Sequence, residues 1–240
     1  TVYHFLLPDK GMADYKDKVI KQMAAHEIKT INEWRKEFIK PFTKSEIDQL
    51  KKLSSAVDKL WKRHAEMQRD IDDRTTDPLF VFGQKEIKDK RQLTTTEFKD
   101  RIYHQEMFSE NVRNSSPYRR LKLVMDYWCG LWFWPIEKAD LLPSRAEFLF
   151  DLTLVLEGNL YDSDVDEYGQ QALFPDTRPK QTSLSMLDEF GYVNVDKLCE
   201  ENRRFKLIQD LSENYRYLHW ELEYANLFHM REGFDLVLGN

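Results

Sequence analysis

The sequence predicts a mainly α-helical protein, a multi-helix bundle inserted between strands of an α/β sheet domain. Its 240 residues include only 8 glycines and 8 prolines, which favours long helices over many short strands. Apolar residues make up 41% of the chain and aromatic residues 13%, enough for a packed core. Strand-like runs lie only near the two ends, at residues 2–8 and 234–239. We therefore expect helices over nearly everything between these two runs.

The N-terminal part of the chain is expected to start with a strand and continue into short helices. Residues 1–8 are rich in β-branched and aromatic side chains, and a Pro-Asp-Lys-Gly turn follows at residues 8–11. Two short helices are predicted over residues 12–25 and 27–39, and Pro41 separates them from the next element.

The longest predicted helix covers residues 44–73. Thr43 and Glu46 form a capping box at its start, and apolar residues then recur at spacings of mainly three and four. Such a helix is about 45 Å long and needs a partner helix to cover its apolar stripe. His64 lies on this stripe, where a histidine at the edge of the core is favoured over a ligand. The stripe comprises Ile47, Leu50, Ser54, Val57, Trp61, His64 and Ile71.

Capping signals also predict the starts of two helices in the middle of the chain. Thr94 begins a second capping box, which opens a helix ending near residue 112. Ser116 and Pro117 are suited to the N-cap and first position of the next helix, which Pro135 ends. This helix is the most hydrophobic stretch of the chain. Its indoles are expected in the core, and stacking on a flipped base is the alternative.

The last helices precede the second strand-like run. Ser144 and Glu147 form a third capping box, and Gly158 ends the helix that this box opens. Further helices are predicted at residues 195–201 and 203–217.

Charge and cysteine usage exclude several classes of protein. The net charge of −6 argues against a dedicated basic nucleic-acid module, although it permits a local basic patch. Cys129 and Cys199 lie far apart without CxxC spacing, so we expect no disulfide framework, no metal site and a cytoplasmic location. No apolar stretch reaches the roughly 18 residues that span a bilayer, so no membrane association is expected.

The final residues form the most informative stretch of the sequence. Residues 234–239 are an apolar run opened by an acid and closed by glycine, which is typical of a strand buried in a parallel sheet. Ligands in open α/β sheets bind beyond the carboxyl ends of such strands, so Asn240 lies where chemistry is expected. A central strand is an unusual place for a chain to stop, and Thr1 is not an initiator methionine. We therefore expect the sequence to be a piece of a larger protein.

Two segments together resemble a known family. Residues 219–224 read His-Trp-Glu-Leu-Glu-Tyr, and residues 233–240 read Gly-Phe-Asp-Leu-Val-Leu-Gly-Asn. They resemble the N6-adenine DNA methyltransferases, particularly the large single-chain restriction–modification and phage-defence type. In that family a similar strand runs into Asn-Pro-Pro and an aromatic residue, and only Asn240 of this tetrapeptide is present. Residues 134–145 are also similar to a segment of the helical insertion before the family's catalytic strand.

The resemblance implies a division of the chain. Residues 1–8 would be a strand of a flanking Rossmann-like sheet domain, and residues 9–230 a helical insertion domain. Residues 231–240 would be the strand of the catalytic sheet, truncated at Asn240.

The resemblance also implies an activity for the complete protein. This is the transfer of a methyl group from S-adenosylmethionine to N6 of adenine in double-stranded DNA. Asn240 would be the catalytic residue that accepts a hydrogen bond from N6, whose lone pair is otherwise delocalised into the ring. The family's cofactor turn, Asp-Pro-x-x-Gly-x-Gly, is absent from this sequence, so the chain alone is not expected to bind the cofactor or to be active.

Two basic clusters are candidate phosphate contacts, with plain surface charge as the alternative. The rival function is a non-catalytic helical protein-interaction module that binds other subunits of a defence complex, which the long helix and the acid-rich surface would suit. The candidate DNA contacts are Arg119, Arg120 and Lys122 in the first cluster and Arg203, Arg204 and Lys206 in the second.

Overall fold

The computed structural model describes residues 1–77, 95–106, 116–157 and 194–239. These residues are mainly helical and contain no strand, which confirms the helical class predicted from the sequence. The α-helices are α1 (Lys18–Met23), α2 (Ala25–Phe38), α3 (Lys44–Thr75), α4 (Thr96–Glu106), α5 (Pro117–Trp132), α6 (Arg145–Glu157), α7 (Val195–Glu201), α8 (Arg203–Tyr215), α9 (Trp220–Glu223) and α10 (Ala225–Arg231), and the 3-10 helices are η1 (His4–Leu6) and η2 (Ile136–Leu141).

Helix α5 lies at the centre of the bundle. It starts as predicted, because the Ser116 side chain accepts the N–H of Arg119 and Pro117 occupies the first turn. It packs against η1, α3, α6, α7, α8 and α9. Leu121 and Leu131 are fully buried, as are most other side chains of the helix. A helix surrounded by others buries side chains on most of its faces, and the polar ones among them need hydrogen-bond partners.

Helix α3 is the longest described element, with 32 residues. Thr43 and Glu46 form the predicted capping box, in which each side chain accepts a backbone N–H of the other residue. Most of the apolar stripe is buried, including Leu50 and Val57, whereas Ile47 at its start is 40% exposed. α3 contacts α5, α6 and α10, so the expected partner is a set of helices rather than a single one.

The predicted strand at residues 1–8 is not formed, because this segment folds into the 3-10 helix η1. The neighbouring side chains of Phe5 and Leu6 are 2% and 0% exposed. A strand directs neighbouring side chains to opposite faces, whereas the turn of η1 lets both enter the same core. The Trp128 indole N–H donates to the Leu7 carbonyl at 2.8 Å and ties η1 to α5. A short aromatic run has a β preference that tertiary packing overrides here.

The first predicted helix is shorter than expected. Ala13 adopts a positive φ of 47°, which breaks any helix running on from residue 12. α1 begins only after Asp17, whose carboxylate caps the N–H of Ile20 at 2.9 Å.

The second predicted strand, at residues 234–239, is in no helix or strand of the described chain. A strand needs a neighbour to complete its backbone hydrogen bonds, and the described residues offer none to this stretch. Its apolar side chains are exposed, and Leu238 reaches 85%.

Candidate functional site

The apolar run at residues 234–239, called the terminal run below, is preceded by a segment that contains a kink between α9 and α10. Tyr224 separates the two helices with a non-helical φ of −115° and ψ of 40°. In an unbroken helix the N–H of Asn226 would donate to the carbonyl of Leu222, four residues earlier. At the kink both groups instead find partners on α3, so the segment is held by side chains of another element.

Two side chains of α3 supply these partners. His64 Nε2 donates to the Leu222 carbonyl at 3.0 Å. The Gln68 carboxamide makes two bonds, because its Nε2 donates to the Glu223 carbonyl at 2.9 Å and its Oε1 accepts the N–H of Asn226 at 3.0 Å. One carboxamide therefore bridges the carbonyl before the kink and the N–H after it.

Asp72 extends the same face of α3. Its Oδ2 accepts a hydrogen bond from the Asn226 side-chain amide at 2.9 Å. His64, Gln68 and Asp72 are spaced four residues apart and so lie above one another on the helix. A groove of about 370 Å³ runs between this face and α10.

Helix α5 holds the segment from the other side. The Tyr118 hydroxyl donates to Glu223 Oε1 at 2.6 Å, and the pKa of Tyr118 is raised by burial and by this carboxylate. His219, which precedes α9, is paired with Asp126 at 2.7 Å between Nε2 and Oδ1. Residues 219–226 are thus fixed between α3 and α5.

Asp126 is the centre of a buried polar cluster. Its Oδ2 accepts hydrogen bonds from Ser212 Oγ at 2.8 Å and from Lys122 Nζ at 2.7 Å. Serine, histidine and aspartate meet here, but the aspartate lies between the other two. A nucleophilic triad needs the histidine next to the hydroxyl, so the arrangement is not one. The cluster joins α5, α8 and the start of α9 as a satisfied polar network.

His64 lies in the core, where it is 4% exposed. Burial is the main cause of a lowered pKa, which the Leu222 carbonyl and the Glu223 carboxylate partly oppose. The Tyr118 ring lies 5.4 Å from the imidazole. His64 is therefore neutral near pH 7, with the proton on Nε2 that donates to Leu222.

The pH dependence of stability should report on His64. Because its pKa in the folded chain is below the unfolded value of about 6.5, the unfolded chain binds the proton first, and stability is lost as pH falls below about 6.5. One such group contributes at most about 1.4 kcal/mol per pH unit. Urea unfolding between pH 7.5 and 5 should show a smaller loss for His64→Gln, which retains an N–H donor. The exposed His26→Gln serves as the control, and equal slopes in the two variants would contradict the assignment.

An aromatic cluster connects the kinked segment to the terminal run. The Phe234 ring lies 5.9 Å from Trp220, 5.2 Å from Tyr224 and 5.3 Å from Phe228, each in an edge-to-face arrangement. The predicted catalytic residue, Asn240, lies outside the described residues. The run also contacts α10 at Asp235, whose carboxylate accepts a hydrogen bond from Arg231 Nη1 at 3.0 Å.

The segment at residues 134–145 forms a folded connection around η2. Trp134 is fully buried, and its indole N–H donates to the Lys138 carbonyl at 2.8 Å. The Arg145 guanidinium lies 4.8 Å from the centroid of the Phe42 ring. This segment thus contacts the connection between α2 and α3.

The first predicted basic cluster is directed largely inwards. Arg119 forms an ion pair with Asp196 on α7. Arg120 is 6% exposed and donates to the Val155 and Leu156 carbonyls at the end of α6. The last carbonyls of a helix have no partner within it, so Arg120 completes α6 rather than facing a phosphate.

The second cluster is divided between the interior and the surface. Arg204 donates to the buried Asp151 carboxylate at 2.9 Å. Lys122, the third residue of the first cluster, forms an ion pair with Asp126. Arg203 and Lys206 have exposed side chains on α8. Of the six predicted phosphate contacts, these two present their charge to solvent.

Sequence reasoning missed Gln68, Asp72 and Tyr118 as parts of this site. A signal for the first two was present, because polar residues recur at four-residue spacing from His64 along a helix whose neighbouring face is apolar. The kinked segment to which they bond lies more than 150 residues away in the sequence, and hydrophobic periodicity does not reveal such a contact.

The described residues contain no group of three or more histidine, cysteine, aspartate or glutamate side chains that could hold a metal ion. In the same residues no helix has the length and apolar character needed to cross a membrane. Comparisons with protein families, curated proteins and solved structures found no match to the chain.

Proposed function

We propose that this chain is the helical part of an S-adenosylmethionine-dependent DNA methyltransferase that methylates N6 of adenine in double-stranded DNA. Such a protein would act in restriction–modification or phage defence in the cytoplasm. One observation carries the proposal. The apolar run at residues 234–239, whose sequence resembles the family's catalytic strand, leaves the helices with its side chains exposed.

An energetic argument favours burial of this run in a sheet. Leu236, Val237 and Leu238 are among the most exposed large apolar side chains of the described residues. Burying each of them fully would contribute about 1.5–3 kcal/mol. In a parallel sheet, helices cover both faces of each strand, so the run suits a sheet formed with other parts of the protein.

Asn240 would then stand at the carboxyl end of that strand. By resemblance to the family, its amide oxygen accepts an N6 hydrogen of an adenine that has left the duplex. This bond favours the transition state, in which positive charge builds on N6 as it attacks the methyl group.

The residues of this chain do not fit a site for S-adenosylmethionine. The described glycines are scattered, since Gly130 lies within α5 and Gly11 lies against the Trp132 ring. The Asp-Pro-x-x-Gly-x-Gly turn has no counterpart in the sequence. Other parts of the methyltransferase would therefore have to supply that site, and this chain contributes the helical domain and Asn240.

The helical domain would shape the DNA cleft or brace the catalytic domain. Arg203 and Lys206 are the phosphate contacts that its geometry favours, because their charges face solvent.

The function is tested by isotope-labelled methyl transfer to DNA with the full-length protein. Asn240→Ala should lower N6-methyladenine formation at least about 10²-fold, because a donor or acceptor aimed at the developing charge is removed. Asn214→Ala, an exposed asparagine on α8, is the matched control and should retain activity. Codons after Asn240 that do not encode Pro-Pro and an aromatic residue would refute the proposal, as would equal activity of the two variants.

The second candidate is a non-catalytic module that binds other subunits of a defence complex. It is favoured by a separate exposed aromatic patch in which Phe133 stacks on Tyr215 at 5.0 Å, with Tyr217 alongside. Phage protection that survives Asn240→Ala but is lost in Phe133→Ser would favour this candidate over methyl transfer.

A further inference from the structure

The bridge formed by Gln68 spans the kink at Tyr224. A kink lets the two helical pieces change direction relative to one another, because its backbone hydrogen bonds are no longer fixed by the helix itself. The Gln68 carboxamide contacts Glu223 before the kink and Asn226 after it, at 2.9 Å and 3.0 Å. A single planar group therefore bonds to the backbone on both sides of the kink between α9 and α10.

The aromatic cluster connects this kink to the terminal run. Phe234 packs on Trp220 in α9, on Tyr224 at the kink and on Phe228 in α10. Its contacts lie on both sides of the kink. A change in the kink angle would move the rings apart and shift the start of residues 234–239.

The remaining bonds hold the kinked segment against the bundle. His64 and Asp72 bond to Leu222 and Asn226 from the turns of α3 on either side of Gln68. Tyr118 holds the Glu223 carboxylate from α5. These contacts hold the segment at one position along α3. Gln68 alone among these residues bonds both to Glu223 before the kink and to Asn226 after it.

We propose that Gln68 is a positioning residue for methyl transfer, because it bonds to both sides of the kink on which Phe234 packs, and Phe234 begins the run that leads to Asn240. This inference rests on the proposed function. A displacement of about 1 Å at reacting groups can cost about 10²-fold in rate. Gln68 would thus affect catalysis without touching DNA or cofactor.

The first test is kinetic and uses the full-length protein. Gln68→Met keeps the length of the side chain and removes both hydrogen bonds, and Gln49→Met is the matched control on the same helix, where the amide bonds to Thr153. We expect kcat for methyl transfer to fall by about 10- to 100-fold in Gln68→Met, with KM for DNA changed less than about threefold. Gln49→Met should match the wild type in both parameters.

The second test is amide hydrogen exchange in the 240-residue chain. The Asn226 N–H bonds to Gln68, so its exchange should become at least about tenfold faster in Gln68→Met, while amides in the middle of α5 stay protected. Should Gln68→Met fail to fold, Gln68→Asn replaces it in both tests, since its carboxamide is one methylene too short to bridge the kink.

The outcomes separate the two proposals. An inactive wild-type protein overturns the proposed function, and the positioning role falls with it whatever the exchange experiment shows about the kink. An active wild type in which Gln68→Met keeps the kcat of Gln49→Met overturns the positioning role alone. Unchanged exchange at Asn226 overturns it as well, because the kink would then be held without Gln68.

Discussion

Replacing Arg204 by methionine is expected to lower the free energy of unfolding by about 3–5 kcal/mol, because it leaves the buried Asp151 carboxylate without its cation. Arg204 Nη1 donates to Asp151 at 2.9 Å, and Nε donates to the Leu141 carbonyl at 2.9 Å. The Asp151 carboxylate also accepts the Tyr127 hydroxyl at 2.7 Å, a bond too weak to replace a cation.

Urea unfolding with Arg203→Met as the control measures this effect. Arg203 is exposed, so its substitution should change stability by less than about 0.5 kcal/mol. Burial already raises the pKa of Asp151, and loss of Arg204 should raise it further. Protonation then relieves the unpaired charge, so the deficit of Arg204→Met should shrink as pH falls towards about 4. Equal midpoints for both variants would show that the pair does not stabilise the bundle.

Replacing Phe148 by alanine should destabilise the chain by about 3–5 kcal/mol, since it leaves a cavity where three helices meet. The ring is 1% exposed and packs edge to face on Phe38 of α2 at 5.4 Å and on Tyr127 of α5 at 5.2 Å. Both neighbours would lose an aromatic contact in addition to the buried area.

Phe150→Ala on the same helix is the matched control. Its side chain is 49% exposed, so the same chemical change should cost less than about 1 kcal/mol. Thermal and chemical unfolding of both variants would test the difference, and a Phe150→Ala loss as large as that of Phe148→Ala would disprove the assigned core.

Helix starts were the part of the fold that local sequence could predict. A capping box needs only residues three apart, and those at Thr43 and Ser144 form as expected. The same holds for Ser116 before α5. The predicted strand at residues 1–8 is wrong because the preference of a short apolar run for a strand depends on the surfaces that cover it.

The basic clusters show a second limit of local reasoning. Neighbouring residues on a helix point about 100° apart, so Arg203 and Arg204 face solvent and core respectively. The sequence gives two adjacent arginines without indicating which of them faces inwards. That is decided by Asp151, which lies 53 residues away.

The candidate site was predictable only in part. The resemblance covers residues 219–224 and the run at residues 234–239, and both lie within the described part of the chain. The hydrogen bonds from α3 to Leu222 and Asn226 join residues 154 to 158 positions apart, a separation that no local pattern encodes.

The docking of η1 on α5 also bears on how the chain folds as it is synthesised. The Leu7 carbonyl receives its hydrogen bond from Trp128, which is translated 121 residues later. At ribosomal speeds of about 5–20 residues per second, roughly 6–24 s pass before that partner exists. During this interval η1 can dock on α3 but not on α5, so it lacks part of the core that buries Phe5 and Leu6. The first residues of the described chain therefore complete their packing long after they are synthesised, and their apolar side chains are more exposed to proteases and aggregation until α5 emerges.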